Sequence, residues 1–73
     1  MTVIDTSLFV DAQRGRAPAR QRLDGLLRNP EDVAISAMTV LELRAVPRMT
    51  PEWSRFYASV FSSVEILDLD QGP

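Results

Sequence analysis

Two short apolar runs constrain the fold of this 73-residue chain more than any other feature. Residues 2–4 and 33–35 are rich in β-branched side chains, and each run is too short for a buried helix. Each run ends at a polar residue, Asp5 or Ser36, that leads into a helical pattern. A third run covers residues 64–69. The resulting order (strand, two helices, strand, two helices, strand) predicts an α/β fold, in which helices flank a parallel sheet.

The segment between the first two runs predicts two helices. Thr6 or Ser7 can cap a helix over residues 8–13, and Gly15 ends that helix. Pro18 suits the first turn of the second helix, which Asn29-Pro30 ends. The apolar residues of this second helix fall on one face and predict its buried side: Ala19, Leu23, Leu26 and Leu27.

Two further helices are predicted after residue 36. Ser36 can cap an apolar helix from residue 37 to about residue 46, and Pro47 breaks it. Thr50-Pro51 opens the fourth helix, with threonine as the cap and proline at the first position. Apolar residues then recur at helical spacing and predict a stripe that faces the core: Trp53, Phe56, Tyr57, Val60, Phe61 and Val64. Asp70 would cap a helix that follows the third strand.

The composition excludes several kinds of site. The absence of cysteine removes disulfides, thiolate nucleophiles and cysteine-ligated zinc, and the absence of histidine removes a Ser-His-Asp triad. Any chemistry must therefore use carboxylates, hydroxyls, arginines and the single tyrosine. No apolar run approaches the ~20 residues of a membrane helix, and no basic segment precedes Asp5 as a signal peptide requires. We therefore expect a cytoplasmic protein that does not bind membranes.

Positive charge is concentrated between residues 14 and 28, although the net charge of the chain is −2. Five arginines face one acid, Asp24, in this segment: Arg14, Arg16, Arg20, Arg22 and Arg28. A basic segment on an acidic body suits contact with an RNA backbone, and Arg14, Arg16, Arg20 and Arg22 are the candidate residues. The alternative is an ordinary solvated helix face.

Asp5 and Glu42 are the candidate catalytic and metal-ligating residues. Asp5 follows the first strand, at the sheet edge where open parallel α/β sheets bind ligands. A helix N-cap is the alternative for Asp5, but Thr6 or Ser7 could cap the helix instead, so its position favours a functional role. Glu42 interrupts a helix that is apolar on nearly every side, where an unpaired buried carboxylate costs several kcal/mol. An ion pair with Arg44 or Arg48 is the alternative for Glu42. Two converging carboxylates suit Mg²⁺ or Mn²⁺, because such hard cations prefer oxygen ligands.

Three segments in this order resemble the first three strands of PIN-domain ribonucleases of the VapC toxin family: VIDTSLFVDAQRG, VAISAMTVLELRAV and FSSVEILDLD. In that family a strand ends in Asp followed by Thr or Ser, and a later helix with the pattern S-x-x-T-x-x-E-L carries a glutamate. The resemblance implies a PIN-like, Rossmann-like fold in which Asp5 and Glu42 bind the metal. Ser7 and Thr39 would be supporting hydroxyl groups.

The resemblance also implies a function and partners. It implies the toxin of a type II toxin–antitoxin system, a Mg²⁺- or Mn²⁺-dependent endoribonuclease whose partners are cellular RNA, an antitoxin protein and a second copy in a homodimer. Residues 1–73 match the N-terminal part of the family's domain, and Asp68 and Asp70 do not correspond to its further aspartates. We therefore expect weak cleavage by these residues alone. The alternative is a non-catalytic α/β module that dimerises or binds an antitoxin.

Overall fold

A computed structural model describes residues 1–68 of the chain. Within them, three parallel strands form one sheet in the order β1-β2-β3: β1 (Thr2–Ile4), β2 (Val33–Ser36) and β3 (Glu65–Leu67). The helices are α1 (Thr6–Gln13), α2 (Ala17–Leu27), α3 (Ala37–Arg44) and α4 (Pro51–Ser63), with a 3-10 turn (Pro30–Asp32) before β2. The predicted α/β architecture with a parallel sheet is thus confirmed.

Helix α1 begins earlier than predicted, because its cap is Asp5 and not Thr6 or Ser7. Asp5 Oδ1 accepts a hydrogen bond from the backbone N–H of Leu8 at 3.1 Å. This bond satisfies one of the N–H groups that have no partner inside the helix. Thr6 and Ser7 therefore lie within the first turn. Gly15 follows the end of the helix at φ 84°, a backbone conformation that glycine adopts without a steric cost.

The ends of α3 and β3 also differ from the sequence prediction. α3 ends at Arg44 and not near residue 46, because the N–H groups of Ala45 and Val46 bond to carbonyl oxygens three residues earlier, at 3.1 and 3.5 Å. This tighter pattern is typical of the last turn of a helix. β3 covers Glu65–Leu67, whereas the predicted strand end, Leu69, and the predicted cap, Asp70, lie outside the described residues.

The core lies on one face of the sheet. Ile4 pairs in register with Ile35, so both side chains point to the same face, where they are buried. Helical residues complete the cluster on this side: Phe9, Ala12, Leu23, Leu43, Tyr57, Val60 and Val64. Val3 points to the opposite face and is 55% exposed. Within residues 1–68, the helices therefore cover the sheet mainly on one side.

The predicted apolar faces of α2 and α4 are confirmed. Leu23 is fully buried, and Ala19, Leu26 and Leu27 pack against the core. In the aromatic stripe of α4, Tyr57 and Val60 are buried, while Trp53, Phe56 and Phe61 are partly buried against the same cluster. No helix in residues 1–68 combines the length and the apolar character that a membrane crossing requires.

Candidate functional site

Asp5 stands at the carboxyl end of β1, where the parallel sheet meets the first turn of α1. Its Oδ1 atom is the helix cap described above, which leaves Oδ2 available to a ligand. Asp5 and Ser7 line a cavity of about 320 Å³ together with Asp11 and Arg22. Capping and ligand binding are therefore compatible at Asp5, because they use different oxygens of one carboxylate.

Glu42 is exposed, so the expectation that it lies buried in an apolar helix is wrong. Only one side of α3 enters the core, through Thr39 and Leu43, while Met38 and Leu41 are 57% and 62% exposed. Burial therefore does not force a cation or a metal onto Glu42. The two arginines considered as ion-pair partners, Arg44 and Arg48, form no salt bridge with it within residues 1–68.

The partner of Glu42 is the hydroxyl group of Thr6, the residue that follows Asp5. Thr6 Oγ1 also lies 3.2 Å from Thr39 Oγ1, and Thr39 Oγ1 lies 3.0 Å from Ser36 Oγ. Because an ionised carboxylate can only accept, Thr6 donates its proton to Glu42 and accepts one from Thr39. Ser36 in turn donates to Thr39. The chain of hydroxyl donors thus runs from Ser36 through Thr39 and Thr6 to Glu42.

This hydroxyl network orders the carboxyl end of the sheet. Ser36 caps α3 by accepting the N–H of Thr39 at 3.0 Å, so the network begins at a fixed point of the backbone. Thr39 is only 5% exposed, and a buried hydroxyl requires such partners. The network ties the end of β2 and helix α3 to the start of α1, beside Asp5. It holds Glu42 Oε1 and leaves Oε2 available to a ligand.

Sequence reasoning identified Thr39 and Glu42 but assigned the supporting hydroxyl of α1 to Ser7. The structure brings Thr6 to Glu42. Ser7 is exposed, and its hydroxyl group makes no hydrogen bond within residues 1–68. The supporting role of Ser7 came from the resemblance and stays a prediction, whereas the position of Thr6 follows from the cap. Once Asp5 is the N-cap, Thr6 is the first helical residue, and its side chain faces α3. The capping preference of aspartate was the signal in the sequence that pointed to this arrangement.

The oxygen donors of the site suit a hard divalent cation, but the described residues supply few of them. Asp5 stands at the β1–α1 junction and Glu42 is bonded to Thr6 there. Mg²⁺ accepts one or two protein carboxylates with water in its remaining positions. No group of three or more acidic residues close enough to share a metal ion occurs within residues 1–68. A cation held by these residues alone would be bound weakly.

The candidate RNA-binding arginines differ in their surroundings. Arg16 and Arg20 pair with Asp11 and Asp24, each at 3.7 Å, in exposed ion pairs of a kind that contributes little to stability. Arg22 lines the cavity of Asp5, whereas Arg14 lines a different and larger cavity. The RNA-binding role of these four residues stays a prediction.

The larger cavity, of about 910 Å³, lies at the far end of α1. It is lined by Val10, Gln13, Arg14, Val46, Pro47, Arg48, Thr50 and Trp53. Gln13 Oε1 accepts a hydrogen bond from the Tyr57 hydroxyl at 2.6 Å, which fixes the orientation of the amide. Burial raises the pKa of Tyr57 from 10.0 to about 12, so this hydroxyl remains a proton donor at neutral pH.

In comparisons with known proteins, no family model, curated protein sequence or solved structure matches the chain significantly.

Proposed function

We propose that the chain carries part of the metal site of a PIN-type endoribonuclease that acts as the toxin of a toxin–antitoxin pair. The observation that carries this proposal is the hydroxyl network that reaches Glu42 through Thr6, the residue after Asp5, at the carboxyl end of a parallel sheet. In open α/β sheets this is the edge at which ligands bind. The sequence resemblance supplies the reaction class, and cellular RNA and an antitoxin are the proposed partners.

Asp5 and Glu42 would hold Mg²⁺ or Mn²⁺. When bound, such a cation lowers the pKa of a coordinated water and stabilises negative charge on a phosphate. Asp5 contributes Oδ2, since Oδ1 is fixed by the N–H of Leu8. Glu42 contributes Oε2, since Thr6 fixes Oε1. Both carboxylates are thus oriented before a ligand arrives, as hydrogen bonds from neighbouring groups commonly orient metal ligands.

Metal binding tests the proposal directly. Titration of Mn²⁺ followed by electron paramagnetic resonance should show one site, which Asp5→Asn and Glu42→Gln each weaken by at least tenfold. Thr6→Val should weaken binding by about tenfold, because loss of an orienting hydrogen bond typically has this effect. Glu31→Gln is the matched control: Glu31 is exposed, precedes β2 at the opposite end of the sheet and should not matter. Equal Mn²⁺ binding by wild type, Asp5→Asn and Glu42→Gln would refute the proposal.

Cleavage of structured RNA in Mg²⁺ or Mn²⁺ is the second test. We expect weak activity from residues 1–73, because two carboxylates bind a cation weakly, and we expect Asp5→Asn and Glu42→Gln to abolish what activity there is. Cleavage that survives both substitutions would place the chemistry elsewhere.

A non-catalytic role in dimerisation is the second candidate. The exposed apolar residues Met38 and Leu41 lie one turn apart on α3, and large apolar side chains on a surface favour contact with another protein. Sedimentation equilibrium of the wild type and of a Met38→Gln/Leu41→Gln variant distinguishes the two roles. A dimer that the double variant dissociates, together with absent Mn²⁺ binding, would favour this candidate.

A further inference from the structure

We propose that the cavity at the far end of α1 binds a nucleotide of single-stranded RNA, with phosphates on Arg14 and Arg48 and a base against Trp53. We call this cavity, defined by its eight lining residues above, the arginine groove. The proposal deepens the proposed function and rests on it in taking the strand to be the substrate. The charge and the aromatic lining of the groove support nucleotide binding independently of the metal site.

The charge of the arginine groove suits a polyanion. Two arginines line it and no acid does. Unlike Arg16 and Arg20, which are paired with aspartates, Arg14 and Arg48 form no salt bridge within residues 1–68. A guanidinium group offers planar, paired donors that match the oxygens of a phosphate. The groove therefore provides two cationic groups that form no ion pair with an acid of residues 1–68.

The backbone at Arg48 is unusual in a way that favours a functional reading. Arg48 has a φ of 62°, in the left-handed region that glycine and asparagine adopt far more readily than arginine. Such a conformation is strained in a residue with a long side chain. An asparagine or glycine would relieve this strain, yet the position carries an arginine that lines the groove.

Trp53 supplies a surface on which a base can stack. Its ring lines the arginine groove and also a second cavity, of about 210 Å³, in which Arg20 lies 5.5 Å from the ring centre. The rings of Phe56 and Tyr57 pack against the Trp53 ring, at centroid distances of 5.3 and 5.6 Å. Aromatic side chains beside arginines are the usual arrangement of single-strand binding sites, because every base has a face that stacks.

Gln13 adds a polar group to the lining of the same groove. Its Oε1 atom accepts a hydrogen bond from the Tyr57 hydroxyl, which leaves its amide N–H groups available to other partners. The nitrogen makes no hydrogen bond within residues 1–68, and it can donate to a phosphate or to a base.

The groove and the carboxylates are connected along one side of α1. Thr6, Val10 and Gln13 are spaced i, i+4 and i+7 and share a helix face. Thr6 contacts Glu42 and Thr39, whereas Val10 and Gln13 line the arginine groove. The two sites are separated by roughly 10 Å along the helix axis. The groove and the network that holds Glu42 thus lie at the two ends of one helix.

Binding without metal is the decisive experiment, because it separates this proposal from the metal site. Trp53 is the single tryptophan of the chain, so its fluorescence reports contact with a base directly. A short single-stranded oligoribonucleotide in EDTA should quench this fluorescence, whereas an abasic strand should bind more weakly and quench little.

Variants assign the contacts, with affinity measured by the anisotropy of a labelled strand. Arg48→Asn keeps a residue that tolerates positive φ, and Arg14→Gln keeps a polar side chain; each should weaken binding about tenfold at low salt and lower the salt slope by about 0.7. Trp53→Leu should weaken binding by about fivefold to 100-fold through lost stacking. Arg55→Gln, an exposed arginine on the same helix as Trp53, is the charge-matched control and should change binding less than twofold.

The outcomes distinguish the two proposals. One outcome is that the oligoribonucleotide binds, that Arg14→Gln and Arg48→Asn weaken this binding, and that Mn²⁺ does not bind. This outcome would support the groove and refute the metal site. Absence of quenching by the oligoribonucleotide, or affinities unchanged in both arginine variants with intact thermal unfolding, would overturn the groove. Equal binding and quenching by the abasic strand would overturn the role of Trp53.

Discussion

Helices α3 and α4 both carry many apolar residues but present them differently. α3 buries Thr39 and Leu43 and leaves Met38 and Leu41 more than half exposed. In α4, the apolar residues at helical spacing, among them Tyr57 and Val60, all pack against the core, and the serines and Arg55 lie outside. The amount of apolar surface therefore does not predict burial, whereas its periodicity does.

The difference between the helices bears on function. A carboxylate in a fully buried helix would need a cation, and that argument first singled out Glu42. On the half-exposed α3, Glu42 needs no such partner, so its role rests on Thr6 and on its position at the end of the sheet. The exposed Met38 lies one turn before Glu42. A partner that covers Met38 and Leu41 would therefore also approach the carboxylate.

The largest expected effect on stability comes from replacing a buried leucine of α3 by alanine, with an exposed leucine of the same helix as the comparison. Leu43→Ala should lower the free energy of unfolding by about 2–5 kcal/mol, because it removes a fully buried side chain and leaves a cavity. Leu41→Ala, two residues earlier on the exposed side, should change it by less than about 0.5 kcal/mol. Urea unfolding followed by circular dichroism measures both. A large loss for Leu41→Ala would show that the outer side of α3 is covered in solution.

Removal of one hydroxyl from the network should have an intermediate effect. Thr39→Val keeps the shape of the side chain but deprives Thr6 of its donor and leaves the Ser36 hydroxyl without an acceptor, at an expected cost of about 1–2 kcal/mol. Ser7→Ala, which removes an exposed hydroxyl of α1, should cost less than about 0.5 kcal/mol. Equal effects of the two substitutions would contradict the assignment of Thr6 and Thr39 to the network.

The smallest effect is expected in α4, at Tyr57. Tyr57→Phe should cost about 1 kcal/mol at neutral pH, since it removes only the hydrogen bond to Gln13. The pKa of Tyr57 is raised to about 12 in the folded protein, so the folded state favours the protonated phenol. Its contribution to stability is full below pH 10 and is lost as the pH rises towards 12.

Unfolding at several alkaline pH values checks this dependence. Wild-type stability should fall between pH 10 and 12, and the fall should be smaller in Tyr57→Phe. The chain has one tyrosine and no lysine, so no other side chain with an ordinary pKa near this range obscures the measurement. The same alkaline loss in both proteins would show that folding does not raise the pKa of Tyr57.

Local interactions explain why much of the fold could be predicted from the sequence. Thr50-Pro51 marks the start of α4, Ser36 marks that of α3, and the aromatic spacing of α4 identifies its buried side. These signals act over a few residues, through capping bonds and helical periodicity. The choice between Asp5, Thr6 and Ser7 as the cap of α1 was the local error, because all three residue types can accept a backbone N–H group at the start of a helix.

The sequence by itself determined the order of strands and helices and the chemistry available to a site, which is limited to carboxylates, hydroxyls and arginines. The tertiary structure decided which of these groups meet. Thr6 and Glu42 are 36 residues apart, and Tyr57 and Gln13 are 44 apart. Arg14 and Arg48 share one groove although they belong to different connections. Such pairings depend on how α1 packs against α3 and α4, and no local pattern specifies them, because packing is set by side-chain shape across the whole core.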